Sequence, residues 1–115
     1  MGNIKAAWLS PDISAGRLRF YAGDRFAIRL ELELRDQDES PVELTPEDAV
    51  RIIIYDMPTV VWEKSYTELT ENAVELVVDD DLGELLHPGE YEMRVVVEHG
   101  ETVTTIAATT VEVWR

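Results

Sequence analysis

The chain has 115 residues, a net charge of -14 at pH 7, 45% hydrophobic residues and no cysteine. This length fits a single domain spanning residues 1–115 that can bury a hydrophobic core by packing alone, without disulfides. The excess of acids disfavours nucleic acid or an anionic membrane as partner, because either needs clustered Lys and Arg. No apolar run reaches the ~20 residues of a membrane span, and residues 1–10 lack the pattern of a signal peptide.

Residues 25–35 show the clearest pattern, since apolar and polar residues alternate there with a period of two. Such a period predicts a β-strand with one face in a core and the other in water. A slip of one residue would bury Arg29 and Glu31, so the apolar set must face inward. The residues that we expect in the core, here and in later strands, are Phe26, Ile28, Leu30, Leu32, Ile52, Ile54, Leu76, Tyr91, Met93, Val95 and Val97.

Similar strand signals recur along the chain, separated by turns rich in Gly, Pro and Asp. We predict seven strands, over residues 17–21, 25–35, 50–55, 60–66, 73–78, 91–98 and 102–114. Residues 45–48 are typical of one helical turn, with Thr45 as N-cap and Pro46 at the first helical position. Residues 79–87 predict a second short helical turn. No long amphipathic helix intervenes, so the pattern predicts an all-β sandwich.

One tyrosine narrows the class of sandwich. Tyr91 stands just inside a predicted strand, behind the Gly89 turn and two residues before the inward-facing Met93. This is the arrangement of the tyrosine corner of immunoglobulin-like sandwiches, with Met93 where extracellular members place a cysteine. We therefore expect an immunoglobulin-like β-sandwich of about seven antiparallel strands with one or two short helical turns.

A series of motifs over residues 17–114 resembles a known family. The motifs are Gly23-Asp24 before an alternating strand, an acidic turn, Pro41-Val42-Glu43-Leu44-Thr45 before the 50–55 strand, and Leu85-Leu86 before Pro88-Gly89-Glu90-Tyr91. Together they resemble the N-terminal immunoglobulin-like domain of phage baseplate upper proteins. The resemblance implies a structural module of a phage or prophage tail, with no catalytic residues and with other tail or baseplate proteins as partners. It also implies synthesis in the bacterial cytoplasm and assembly into the virion.

Catalytic and metal chemistry have few candidate residues. His87 and His99 lie at predicted turns and there is no cysteine, so neither a nucleophilic triad nor a zinc site is expected. Two acidic turns offer hard oxygen ligands for calcium, although neither has the spacing of an EF-hand. The calcium candidates are Asp36, Asp38, Asp79 and Asp81. We expect no enzymatic activity and no cofactor.

The chain termini predict a contact surface. Residues 1–35 hold six of the ten basic residues but only four of the 24 acidic ones. The 17–21 and 102–114 strands are predicted sheet edges, and an open edge invites pairing with another chain. We therefore expect a homo-oligomer and an interface that includes Trp8, Arg17, Arg19 and Trp114.

A second function stays open at this point, namely a carbohydrate-binding sandwich that presents exposed aromatic rings to sugars. Trp8, Trp62 and Trp114 are the tryptophans that such a module would use. Large aromatic residues are mostly buried, however, so we expect Trp62 and Tyr66 to pack in or beside the core.

Overall fold

Strands dominate the computed structural model, which describes residues 3–6, 13–14, 17–36 and 38–115. Within this part of the chain there are nine strands and one short helix. The elements are β1 (Asn3–Ala6), β2 (Ile13–Ser14), β3 (Arg17–Tyr21), β4 (Phe26–Glu33), β5 (Ala49–Asp56), β6 (Thr59–Tyr66), β7 (Ala73–Val78), α1 (Asp80–Leu85), β8 (Gly89–His99) and β9 (Thr102–Trp114).

The strands form two sheets, and the predicted all-β sandwich is confirmed. One sheet has the order β1-β4-β7 and the other has the order β2-β3-β9-β8-β5-β6. The hydroxyl of Tyr91 donates to the carbonyl oxygen of His87 at 2.9 Å. This hydrogen bond is the predicted tyrosine corner, because it links the beginning of β8 to the backbone just before it.

The buried residues follow the predicted register. Ile28 faces Leu76 across β4 and β7, and Ile52 faces Val95 across β5 and β8. The predicted core residues that are buried are Ile28, Leu30, Leu32, Ile52, Ile54, Leu76, Met93, Val95 and Val97. Phe26 and Tyr91 are only partly buried and pack against this core, as do Trp62 and Tyr66. Burial, followed by the nearby charge of Glu75, raises the pKa of the Tyr66 hydroxyl to about 12.

Three predictions about strands and turns need correction. β3 pairs with β9 in parallel, not antiparallel. The turn after Tyr21 leads into β4 of the other sheet, so β3 and β4 do not form a hairpin. Neither predicted edge strand lies at an edge: β3 lies between β2 and β9, and β9 lies between β3 and β8. Among the described strands, the edges of this sheet are β2 and β6. Residues 45–48 form a tight turn closed by Asp48 N–H and the Thr45 carbonyl at 3.0 Å, not a helical turn.

The loops gather at two opposite ends of the sandwich. The helix end contains residues 21–26, residues 56–60, residues 79–89 and Trp114, and it includes α1. The long-loop end contains residues 34–48, 67–72 and 99–102. The longest dimension, 44 Å, agrees with the length of about 43 Å expected of the 13-residue β9. The strands therefore run along the long axis, with one end at each extreme.

Candidate functional site

The exposed large hydrophobic side chains concentrate at the helix end. Among the described residues they are Tyr21, Met57, Val60, Val77, Leu85, Val103 and Trp114. Only Val103 belongs to the other half of the molecule, next to the turn between β8 and β9. Since an exposed apolar group gains nothing for folding, this distribution marks the helix end as the candidate site.

Tyr21 and Trp114 form the centre of this surface. The parallel pairing of β3 and β9 places them side by side, on the outer face of the larger sheet. Their rings meet edge to face with centroids 5.6 Å apart, and they are 54% and 44% exposed. The Arg19 guanidinium lies 6.0 Å from the centre of the Trp114 ring, which is within the range of a cation–π contact.

A buried carboxylate supports the two arginines of β3. Glu112 is only 9% exposed although it lies on the outer face of the sheet. It forms ion pairs with Arg17 and with Arg19, whose Nε lies 3.3 Å from Oε2 of Glu112. Three of the four predicted interface residues, Arg17, Arg19 and Trp114, are thus brought together in one cluster. The fourth, Trp8, lies outside the described residues.

A groove of about 400 Å³ opens beside this cluster. Its lining residues are Arg19, Phe20, Tyr21, Asp24, Arg25, Phe26 and Trp114. The Asp24 carboxylate accepts a hydrogen bond from Tyr21 N–H at 3.0 Å, and Arg25 lies 2.8 Å from Asp80 at the start of α1. Aromatic walls suit a flat apolar group, and guanidinium groups at the rim suit a carboxylate.

Sequence analysis missed Tyr21, Asp24, Arg25 and Phe26 as groove residues. Their proximity depends on the parallel pairing of β3 with β9 and on the turn that carries the chain between sheets. Alternation shows that a segment is a strand, but it gives no direction for its neighbour. The one usable signal was Gly23, whose φ of 93° belongs to the left-handed region that favours glycine in tight turns.

The calcium candidates are divided between the two ends. Asp36 and Asp38 lie at the long-loop end, where Oδ1 of Asp36 accepts from the N–H groups of Asp38 and Ser40. Asp79 and Asp81 lie at the helix end, where Asp79 caps α1 by accepting from Leu82 N–H at 3.1 Å. In the described part of the chain, no three His, Cys, Asp or Glu residues are grouped to hold a metal ion. Asp36 orders a turn, and Asp79 caps a helix.

The two histidines are also at opposite ends. His87 supplies the carbonyl of the tyrosine corner, whereas Nδ1 of His99 lies 3.0 Å from Oδ2 of Asp48. Asp48 also accepts from Thr45 N–H at 2.8 Å. That backbone hydrogen bond, helped by His99, holds the pKa of the Asp48 carboxyl below its ordinary value. This polar cluster joins the long loop to the β8–β9 turn.

Comparisons with known proteins do not extend this description. No protein-family model, curated protein or solved structure matches the chain. No helix among the described residues has the length and apolar character needed to cross a membrane.

Proposed function

We propose that this protein is a structural, protein-binding module of a phage or prophage tail or baseplate, which acts by assembly and not by catalysis. The tail assignment depends on the motif resemblance over residues 17–114. The binding role is supported by the exposed Tyr21–Trp114 pair, which is the observation that carries the proposal. Its partners are other tail proteins and further copies of the chain, and its location is the virion.

The aromatic pair has the properties of a contact point. Aromatic and arginine side chains are enriched among the residues that contribute most to protein interfaces, and aromatic rings bury large areas at a low cost in conformational entropy. Tyr21 and Trp114 lie on adjacent paired strands, and Arg19 beside them is anchored by the largely buried Glu112. The surface is therefore organised before any partner arrives, which lowers the entropy lost on binding.

The groove favours carbohydrate binding as a second function. A sugar ring could stack on Trp114 while a carboxylate of an acidic sugar meets Arg19 or Arg25. Carbohydrate binding would use the same residues as assembly, so a direct test must separate these two functions.

The tail assignment is tested by sequencing the DNA that flanks the gene and by mass spectrometry of induced phage particles. We expect neighbouring reading frames for tail tube, tape-measure or fibre proteins, and peptides of this chain in purified tails. Neighbours that encode glycan-processing enzymes, with no peptide in any particle, would overturn the assignment.

The two functions are separated by tryptophan fluorescence in the presence of acidic and neutral polysaccharides. Assembly predicts no saturable change with any sugar. A saturable change that disappears in Trp114→Ser but persists in the control Val103→Thr, at the other end of the sandwich, would establish the carbohydrate-binding function instead.

Oligomerisation is tested by light scattering over a range of salt concentrations. Contact between the more basic N-terminal third and the acidic remainder of a neighbour predicts a mass above 13.1 kDa that falls as salt rises. A mass that does not change with salt would contradict that mode of contact.

A further inference from the structure

The helix end carries exposed apolar side chains well beyond the aromatic groove. Met57 and Val60 flank the β5–β6 turn and are 58% and 49% exposed, and Leu85 at the end of α1 is 46% exposed. These side chains belong to different loops and reach the same end only because of the topology. The apolar surface is therefore a property of the whole end, not of one loop.

Exposed acids lie in the same loops and helix as these apolar residues. α1 and its cap contribute Asp79, Asp80, Asp81 and Glu84, and the β5–β6 hairpin contributes Asp56; all five are exposed. Arg25, the nearest arginine of the β3–β4 turn, is already paired with Asp80. The helix end thus combines apolar side chains with an excess of negative charge.

We propose that the helix end docks a segment of a partner protein that presents apolar and basic side chains together. Charge complementarity selects this partner, because a basic segment meets the acids around the end while its apolar residues cover Met57, Val60 and Leu85. The inference rests on the protein-binding part of the proposed function and names the surface and the chemistry of the partner.

A second copy of the chain fits this end poorly. The long-loop end is also acidic, with Asp36, Asp38, Glu39 and Glu101 exposed, so either end of another copy would bring like charges together. Like charges across an interface cost free energy and slow association. End-to-end contact between copies is therefore disfavoured, and we assign the basic segment to a different protein.

The size of the end sets the expected strength of the contact. The cross-section is 28 × 23 Å, which covers roughly 500 Å² on each partner and lies at the low end for a specific interface. A single contact of this size is expected to have a dissociation constant of about 1 µM or weaker. Repeated copies of this contact in a larger assembly would raise the overall affinity.

The test is a titration of the isotope-labelled full chain, followed by NMR, with short synthetic peptides. One peptide alternates leucine and lysine, the second replaces leucine by serine, and the third replaces lysine by glutamate. We expect saturable shifts at residues 56–60 and 79–86 with the leucine–lysine peptide only. Shifts centred on residues 36–39 and Glu101 would mean simple attraction of cations to acids, and would overturn the proposal, as would the absence of saturable binding.

Matched variants locate the apolar contribution by calorimetry. Met57→Ser combined with Val60→Thr should weaken binding of the leucine–lysine peptide about tenfold, whereas Val103→Thr, the same change at an exposed valine elsewhere, should leave it unchanged. Leu85→Ser is a second variant at the helix end. Equal affinities in all variants would overturn the proposal. Failure here would remove this docking surface while the gene neighbourhood still decides the tail assignment.

Discussion

The two ends of the sandwich use their side chains differently. At the long-loop end, Asn72 donates to the Val42 carbonyl and accepts from Leu44 N–H, both at 2.7 Å. Asp36 and Asp48 likewise bind backbone N–H groups of their own loops. At the helix end, Met57, Val60 and Trp114 project apolar groups into water. These polar groups of the long-loop end bind within the fold, whereas the exposed apolar groups of the helix end remain available for contact with a partner.

Electrostatic coupling shows the same contrast. Near the long-loop end, a bidentate contact with Arg29 holds the pKa of the Glu71 carboxyl below its ordinary value. The same contact raises the pKa of the Arg29 guanidinium. At the helix end, the exposed acids of α1 lie at the same end as exposed apolar side chains. Charges at the long-loop end organise the fold. At the helix end, Asp79 caps α1 and Asp80 pairs with Arg25, and the other exposed acids are suited to selecting a partner.

The largest expected effect comes from the core that both ends share. Leu30 is fully buried in β4, so Leu30→Asp places an unpaired carboxylate among aliphatic side chains. The cost should be roughly 5 kcal/mol or more, comparable with the whole stability of a small domain. Far-UV circular dichroism should show an unfolded chain. A variant that melts like the parent would mean that the register of β4 is wrong.

The next effect tests the polar cluster of the long-loop end. Asp48 is 5% exposed and accepts hydrogen bonds from Thr45 and His99, so Asp48→Ala should cost about 2 kcal/mol. Urea denaturation measures the loss. Ser40→Ala is the control, since Ser40 is exposed in the same loop. If the two variants were equally stable, this end would not depend on its polar contacts.

The pH dependence of Asp48 has a defined sign. Its pKa is lower in the folded protein than the ordinary value of 3.8, so the carboxylate stabilises the fold at neutral pH. That contribution should be lost as the pH falls below about 4 toward the folded pKa. Asp48→Asn should flatten the fall in stability over this window. If urea denaturation at a series of pH values showed the same fall in stability for Asp48→Asn as for the parent, Asp48 would not be the group responsible.

A smaller effect concerns the tyrosine corner at the helix end. Tyr91→Phe removes the hydrogen bond to the His87 carbonyl and should cost about 1 kcal/mol, measured as a lower melting temperature. Tyr55→Phe, a change of the same kind in β5, is the control. A loss as large as that of Asp48→Ala would show that the helix end is held by polar contacts too, and would weaken the contrast.

Sequence reasoning predicted the periodic parts of this fold well and its long-range contacts poorly. The alternation around Leu30 identifies β4 and its inward face, and Gly89 with Tyr91 identifies the tyrosine corner. β1 and β2, with four and two residues, are too short for an alternation to stand out, and neither was predicted. Nothing local marks the parallel partner of β3, so the groove between Tyr21, Phe26 and Trp114 could not be predicted. Trp114 and Arg19 were found as isolated residues, and only the topology makes them neighbours.

The smallest expected effect is the sharpest test of the contrast between the ends. Val60→Thr and Val103→Thr each exchange an exposed β-branched residue for one of similar shape and strand propensity, so each should change stability by less than about 0.5 kcal/mol. Thermal melting of the two variants and of Met57→Ser measures this directly. If Val60→Thr or Met57→Ser destabilised the fold as much as Tyr91→Phe, these side chains would serve folding. Stability unchanged at both valines leaves contact with a partner as the reason why five of the seven large hydrophobic residues that are exposed in the described part of the chain lie at the helix end.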